Sequence, residues 1–260
     1  MCRMLAYLGP SVALGRVILA PPHNLIEQAR SPRELRYTRV NADGFGFAWF
    51  DARGRAALYR HTVPIWADAN LEPLARTLHA GLWLAAVRAA TGGLPICVSN
   101  TQPFARDGWA FLHNGFIRDF ATGVRPILHC HLAPEIQAGI DGNTDSEYLF
   151  ALFRDLERRM PEDTAPERLR RMVALLEDWC GDRACMLGLI VSDGRRIHAL
   201  RHGLNEPGPS MYYCEHHPAL GGRLVASEPL EDEGWWKPLP EGCVMTMNRE
   251  GPLEFLPLQD

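Results

Sequence analysis

Two helical stretches stand between two strand-rich halves, and few folds accommodate that order. Thr144-Asp145-Ser146-Glu147 reads as a capping box and predicts a helix to about Met160, with Tyr148, Leu149, Leu152, Phe153 and Leu156 on its inner side. Thr164 and Glu167 open a second helix, in which Leu169, Met172, Val173, Leu176 and Trp179 recur at helical spacing. From Ala184 the apolar period becomes two. Residues 186–191 and 196–200 flank an Asp193-Gly194 turn, and short strands follow at 211–214, 224–226 and 244–247. Ahead of the helices, strands are predicted at 2–8, closed by Gly9-Pro10, and at 41–50, 57–60, 82–88 and 109–115. Short helices are predicted from Ser11 to Ile18, around Leu25 and Ile26, and over 71–78 under a cap from Asp68 or Asn70. No repeat, low-complexity tract or linker interrupts the pattern, so residues 1–260 read as a single domain of antiparallel strands and helices.

Composition narrows the partners. With 47% hydrophobic and 22% charged residues and a net charge of −4, the chain is ordinary for a globular protein and carries no basic stripe for nucleic acid or anionic membrane. A small solute is the expected ligand. No apolar run of membrane-spanning length is present, and the stretch after Arg3 is too short for a signal peptide, so a cytoplasmic location is expected. Seven scattered cysteines without a Cys-x-x-Cys pair read as reduced thiols. His129-Cys130-His131 and His216-His217 lack a second ligand pair, so no metal and no cofactor are expected.

Four places carry candidate chemistry. Removal of Met1 leaves Cys2 with a thiol and a free α-amine, and an amine titrating near about 7.7–8.0 can take the proton of a thiol near about 8.5. Arg88 ends an apolar strand abruptly, either as a solvated strand end or as a cation for an anionic ligand. Asn114-Gly115 ends another, either as a plain turn or as two neutral donors for an oxyanion. Asp145 falls in the first turn of its helix, where the dipole favours a carboxylate with or without a ligand.

With Cys2, Arg88, Asn114-Gly115 and Asp145 in that order, the chain resembles the class II glutamine amidotransferases, which are N-terminal-nucleophile hydrolases. The resemblance implies an α+β fold, a four-layer αββα sandwich of two antiparallel sheets. It also implies roles: Cys2 attacks a γ-glutamyl amide, Asn114 and Gly115 hold the oxyanion, Arg88 binds the α-carboxylate and Asp145 the α-ammonium. Further motifs, Asn41-Ala42-Asp43-Gly44-Phe45-Gly46, Val63-Pro64-Ile65-Trp66, Gln102-Pro103-Phe104 and Ala226-Ser227-Glu228-Pro229, are similar to the stand-alone branch of ergothioneine biosynthesis. That branch implies hydrolysis of γ-glutamyl-hercynylcysteine sulfoxide with release of glutamate. Ala86, Ala89 and Gln102 depart from the broader pattern, where His, Trp and His stand, which weakens the case for plain glutamine. No synthase domain is expected to follow, and residues 126–140 and 205–209 are expected to form loops on the leaving side. Two alternatives stay open: a glutaminase subunit feeding ammonia to a separate synthase, and a non-catalytic binding relic that keeps Met1.

Overall fold

The computed structural model describes residues 2–37 and 39–259; Met1, whose removal the sequence reading requires, and Thr38, within the charged stretch 30–39, lie outside them. In chain order the strands are β1 (Arg3–Ala13), β2 (Phe45–Phe50), β3 (Ala56–His61), β4 (His79–Val87), β5 (Phe104–Arg106), β6 (Trp109–Ile117), β7 (Cys185–Ser192), β8 (Ile197–Leu204), β9 (Tyr212–Cys214), β10 (Arg223–Ala226), β11 (Trp236–Pro238), β12 (Cys243–Met247) and β13 (Glu254–Pro257). The helices are α1 (Leu14–Ile18), α2 (Leu25–Arg30), α3 (Leu71–Thr77), α4 (Val124–His131), α5 (Pro134–Gln137), α6 (Asp145–Arg159) and α7 (Ala165–Cys180).

Among the described residues the strands form two antiparallel sheets, one of seven in the order β11-β9-β10-β1-β4-β2-β3 and one of six in the order β13-β12-β8-β7-β6-β5. Side chains alternate across each sheet, so each strand supplies two layers. Met4, Ala6, Leu8, Leu84, Leu112 and Ile190 fill the space between the sheets. Leu5, Tyr7, Phe47 and Trp83 face α1 to α3, while Phe111, Leu187 and Leu189 face Leu149, Phe153, Leu169 and Leu176 of α6 and α7. Each fully buried Leu, Ile, Met or Phe side chain among these stabilises the fold by about 1.5–3 kcal/mol. The result is the expected α+β sandwich with helices on both outer faces.

Several local expectations need correction. β1 does not stop at Gly9-Pro10 but continues to Ala13 through an irregularity between Leu8 and Val12, so Ser11 caps no helix and α1 begins at Leu14 behind Ala13. Asn114-Gly115 is no turn: β6 runs through it, with Asn114 opposite Gly188 and Gly115 opposite Leu187. Residues 126–140 are not a loop; α4 and α5 bury Leu128 and Ile136 in the helical layer. The box at Thr144 is half closed. Thr144 Oγ1 accepts from Glu147 N at 3.2 Å, but the Glu147 carboxylate turns to Asp141 N and Gly142 N at 2.8 and 2.7 Å. At Thr164 the box is complete, with Glu167 Oε2 accepting from Thr164 N at 2.7 Å.

The start of β1 is gripped from the far end of the chain. Ser227 N donates to Met4 O at 2.8 Å and Met4 N donates to Ser227 Oγ at 3.1 Å. The buried carboxylate of Glu228 accepts from Arg3 Nη1 (2.9 Å), His23 Nε2 (2.6 Å), Arg33 N (3.0 Å) and Glu34 N (3.0 Å). Burial alone opposes the charge, but His23, Arg33 N–H, Arg3 and Glu34 N–H together hold the carboxyl down at about 2.

Two predictions follow from this architecture. A Cβ at Gly115 lies 1.8 Å from Met186 O and 2.5 Å from His113 Nε2, so Gly115→Ala is expected to lower the unfolding free energy by about 3 kcal/mol in urea titrations. Because the Glu228 carboxyl sits below its ordinary 4.5 in the folded chain, its stabilisation is present above pH 4.5 and fades as pH falls toward about 2. The gap between wild type and Glu228→Gln, on the order of 3 kcal/mol from the shift at neutral pH, is expected to shrink across that window.

Candidate active site

The register of the first sheet assembles the site. Val87 of β4 lies opposite Arg3 of β1 on one side and Phe45 of β2 on the other. One residue further along, Cys2 comes beside Arg88, and Arg88 is flanked by Gly44, whose carbonyl accepts from Arg88 N at 2.8 Å. The alternation that sends Met4 and Ala86 between the sheets places Cys2 and Arg88 on the same face. A hollow of about 380 Å³ opens there, lined by Cys2, Arg88, Gln102, His113, Gly115 and Asp145 together with Thr91, Leu94 and Asn100. Larger hollows lie elsewhere, one of about 1040 Å³ beside Gly9 and Arg249, but they bring no thiol to a guanidinium.

Arg88 is buried and its guanidinium makes only long contacts among the described residues, Nη1 to Asp43 O at 3.4 Å and Nη2 to Pro95 O at 3.5 Å, with no ion pair. Buried cations ordinarily have a charged partner, so this guanidinium suits an anion that enters from outside. Asp145 opens α6 and is tied to β6: its Oδ2 accepts from Ile117 N at 2.9 Å and its Oδ1 from Ser146 N at 2.8 Å. One carboxylate and one guanidinium thus face the same small space.

The edge of β6 explains the donors. His113 N donates to Gln102 Oε1 at 2.5 Å, and Gln102 Nε2 donates to His113 O at 2.8 Å, so the Gln102 amide extends the sheet like a strand. The same Nε2 lies 3.9 Å from Cys2 Sγ. Alternation sends the N–H groups of 113, 115 and 117 to one edge. Those of 113 and 117 go to Gln102 and Asp145, and that of Gly115 points into the space between them. Asn114 faces the inter-sheet side. It is fully buried, and neither Oδ1 nor Nδ2 has a partner among the described residues. A buried amide left unpaired costs about 1–3 kcal/mol, which marks it as a group held ready for something else.

His113 is a positioning group. Its Nε2 must donate to Met186 O (3.1 Å), since a carbonyl only accepts, leaving Nδ1 to accept from Ser146 Oγ at 2.9 Å. Burial pushes its pKa down and keeps the ring neutral. The structure therefore brings Cys2, Arg88, Gly115 and Asp145 into one hollow, with Asn114 adjacent on β6. Sequence reasoning missed Asn100, whose side chain bonds Asn143 at 2.9 and 3.0 Å, and saw Gln102 as a motif residue and a departure but gave it no role. The local sequence gives no sign of Asn100; Gln102 was visible but had no partner to explain it. Among the described residues no group of three His, Cys, Asp or Glu side chains is gathered as metal ligands would be, and no helix is long and apolar enough to cross a membrane.

Known proteins share this chain's sequence and fold. A γ-glutamyl-hercynylcysteine sulfoxide hydrolase of Mycolicibacterium smegmatis is 30% identical over 93% of each chain. A probable glutamine amidotransferase of Saccharomyces cerevisiae is 28% identical over 96% of this chain and 82% of its own. The solved structure of a glutamine aminotransferase class-II domain protein from Silicibacter pomeroyi superposes with a TM-score of 0.73 at 30% identity, covering 98% of this chain and 99% of that one. The glutamine phosphoribosylpyrophosphate amidotransferase of Bacillus subtilis shares the fold over 99% of this chain and 49% of its own, at 16% identity and a TM-score of 0.67. The family model of class-II glutamine amidotransferases matches residues 30–219. The chain belongs to the class-II glutamine amidotransferases, and its named relatives support a hydrolase of that type.

Proposed function

We infer that the chain hydrolyses a γ-glutamyl amide through a thioester on Cys2, and that its substrate is γ-glutamyl-hercynylcysteine sulfoxide. The observation that carries the reading is the placement of Cys2 and Arg88 as cross-strand neighbours in one hollow with Gly115 and Asp145. Arg88 and Asp145 supply opposite charges for the α-carboxylate and α-ammonium of a glutamyl head. The α-amine freed by loss of Met1 takes the thiol proton, and the thiolate adds to the amide carbonyl. Asn114 Nδ2 and Gly115 N–H hold the oxyanion. The C–N bond breaks and the leaving amine takes the proton back from the α-ammonium. Water, deprotonated by the same amine, then cleaves the thioester to glutamate and free thiol. Ala86 and Ala89 are small and buried beside Arg88, and Ala89 lines the hollow, which suits a substrate larger than glutamine. Cytoplasmic location and action as a single 260-residue domain belong to the same reading.

The decisive measurement is glutamate release from γ-glutamyl-hercynylcysteine sulfoxide and from glutamine in parallel. A preference of about a hundredfold in kcat/KM for the sulfoxide is expected, corresponding to about 2.7 kcal/mol of transition-state binding. Equal rates, or a preference for glutamine, favour an ammonia-supplying subunit instead. No release from either, with Met1 retained in the intact mass, indicates a binding relic. Asn114→Ala is expected to lower kcat on the order of 10²–10³ with KM nearly kept. Arg88→Ala is expected to raise KM tenfold or more. An uncleaved N-terminal fusion is expected to abolish turnover, since it turns the proposed base into an amide.

A further inference from the structure

We propose that Glu228 is a positioning residue for Cys2, fixing the nucleophile's backbone through Arg3 and tying the segment 33–37 to the same carboxylate. The proposal rests on Cys2 being the nucleophile. Arg3 spans both partners with one guanidinium: Nε donates to Cys2 O at 2.8 Å and Nη1 to Glu228 Oε1 at 2.9 Å. Arg3 lies on the odd face of β1 and does not line the hollow that holds Cys2. A third contact, Nη1 to Ser210 Oγ at 3.3 Å, ties the same group to the segment that precedes β9.

The same carboxylate also reaches the segment 33–37, Oε2 accepting from Arg33 N and Oε1 from Glu34 N. Tyr212 OH donates to Glu34 Oε1 at 2.8 Å. The segment then carries Tyr37 to Phe116, edge to face with ring centres 5.5 Å apart. Phe116 shares its face of β6 with Asn114, two residues away. One buried carboxylate therefore links the carbonyl of Cys2 on the first sheet to the residues beside Asn114 on the second. Four donors converge on two oxygens, a demand that an amide cannot meet because one of its ends is itself a donor. Small misplacement of a nucleophile lowers rate steeply, so the effect belongs in the chemical step rather than in binding.

The test compares wild type, Glu228→Gln and Arg3→Lys. With γ-glutamyl-hercynylcysteine sulfoxide, each variant is expected to lose at least tenfold in kcat and in the single-turnover release of the leaving amine, with KM within twofold. Arg3→Lys keeps the cation for Glu228 but not the planar fork that also holds Cys2 O, so its urea midpoint is expected to stay near wild type. Should Glu228→Gln fail to fold, Arg3→Lys decides the matter alone. An unchanged kcat in folded Arg3→Lys, or kcat and KM altered together, overturns the positioning role while leaving the proposed hydrolysis intact. Absence of glutamate release from wild type removes both.

Discussion

Alternation along β1 is the constraint on which everything else depends. Its odd residues, Arg3, Leu5 and Tyr7, face the first helical layer or the buried carboxylate, and its even residues, Met4, Ala6 and Leu8, fill the space between the sheets. Cys2 inherits the even face. A slip of one residue would send the thiol to the helical side and Arg3 into the inter-sheet core, so the register is enforced by every residue of the strand. β1 is also central, paired with β10 and β4, which leaves it no freedom to shift at either edge.

Much of the fold was legible from period and punctuation. The stripes of α6 and α7 and the hairpin of β7 and β8 appear where the spacing places them, because each buries a face set by its own local sequence. The failures have physical causes. Gly9-Pro10 looked like a terminator, yet the irregularity between Leu8 and Val12 lets the strand continue past it. Asn114-Gly115 looked like a turn, yet the glycine is there because Met186 O leaves no room for a side chain. In both places the neighbouring strand decided, and no local pattern contains that neighbour.

The candidate site was legible to a different degree. Cys2, Arg88, Gly115 and Asp145 stood out because each breaks an apolar run or occupies a special position, and the fold brings all four to one hollow. Gln102 and Glu228 could not be assigned the same way. Gln102 works by joining the edge of β6, and Glu228 works through Arg3, 225 residues away in the chain. The family motif containing Glu228 was visible, but its partners were not, since a contact of that sequence separation leaves no periodic trace.

The same separation orders events during synthesis. β1 is the first strand made, and its partner β4 ends at Val87, but β10 and the Ser227-Glu228 grip lie near the other end of the chain. As chains emerge from their N-terminal end, the start of β1 has one flank unpaired until almost the whole polypeptide has been extruded. The first residues of β1 thus lack one of their two flanking strands until β10 docks. Burial of Arg3 against Glu228 is a closing step of folding, and a nascent chain that stops before residue 228 carries its thiol on a strand whose grip has not yet been made.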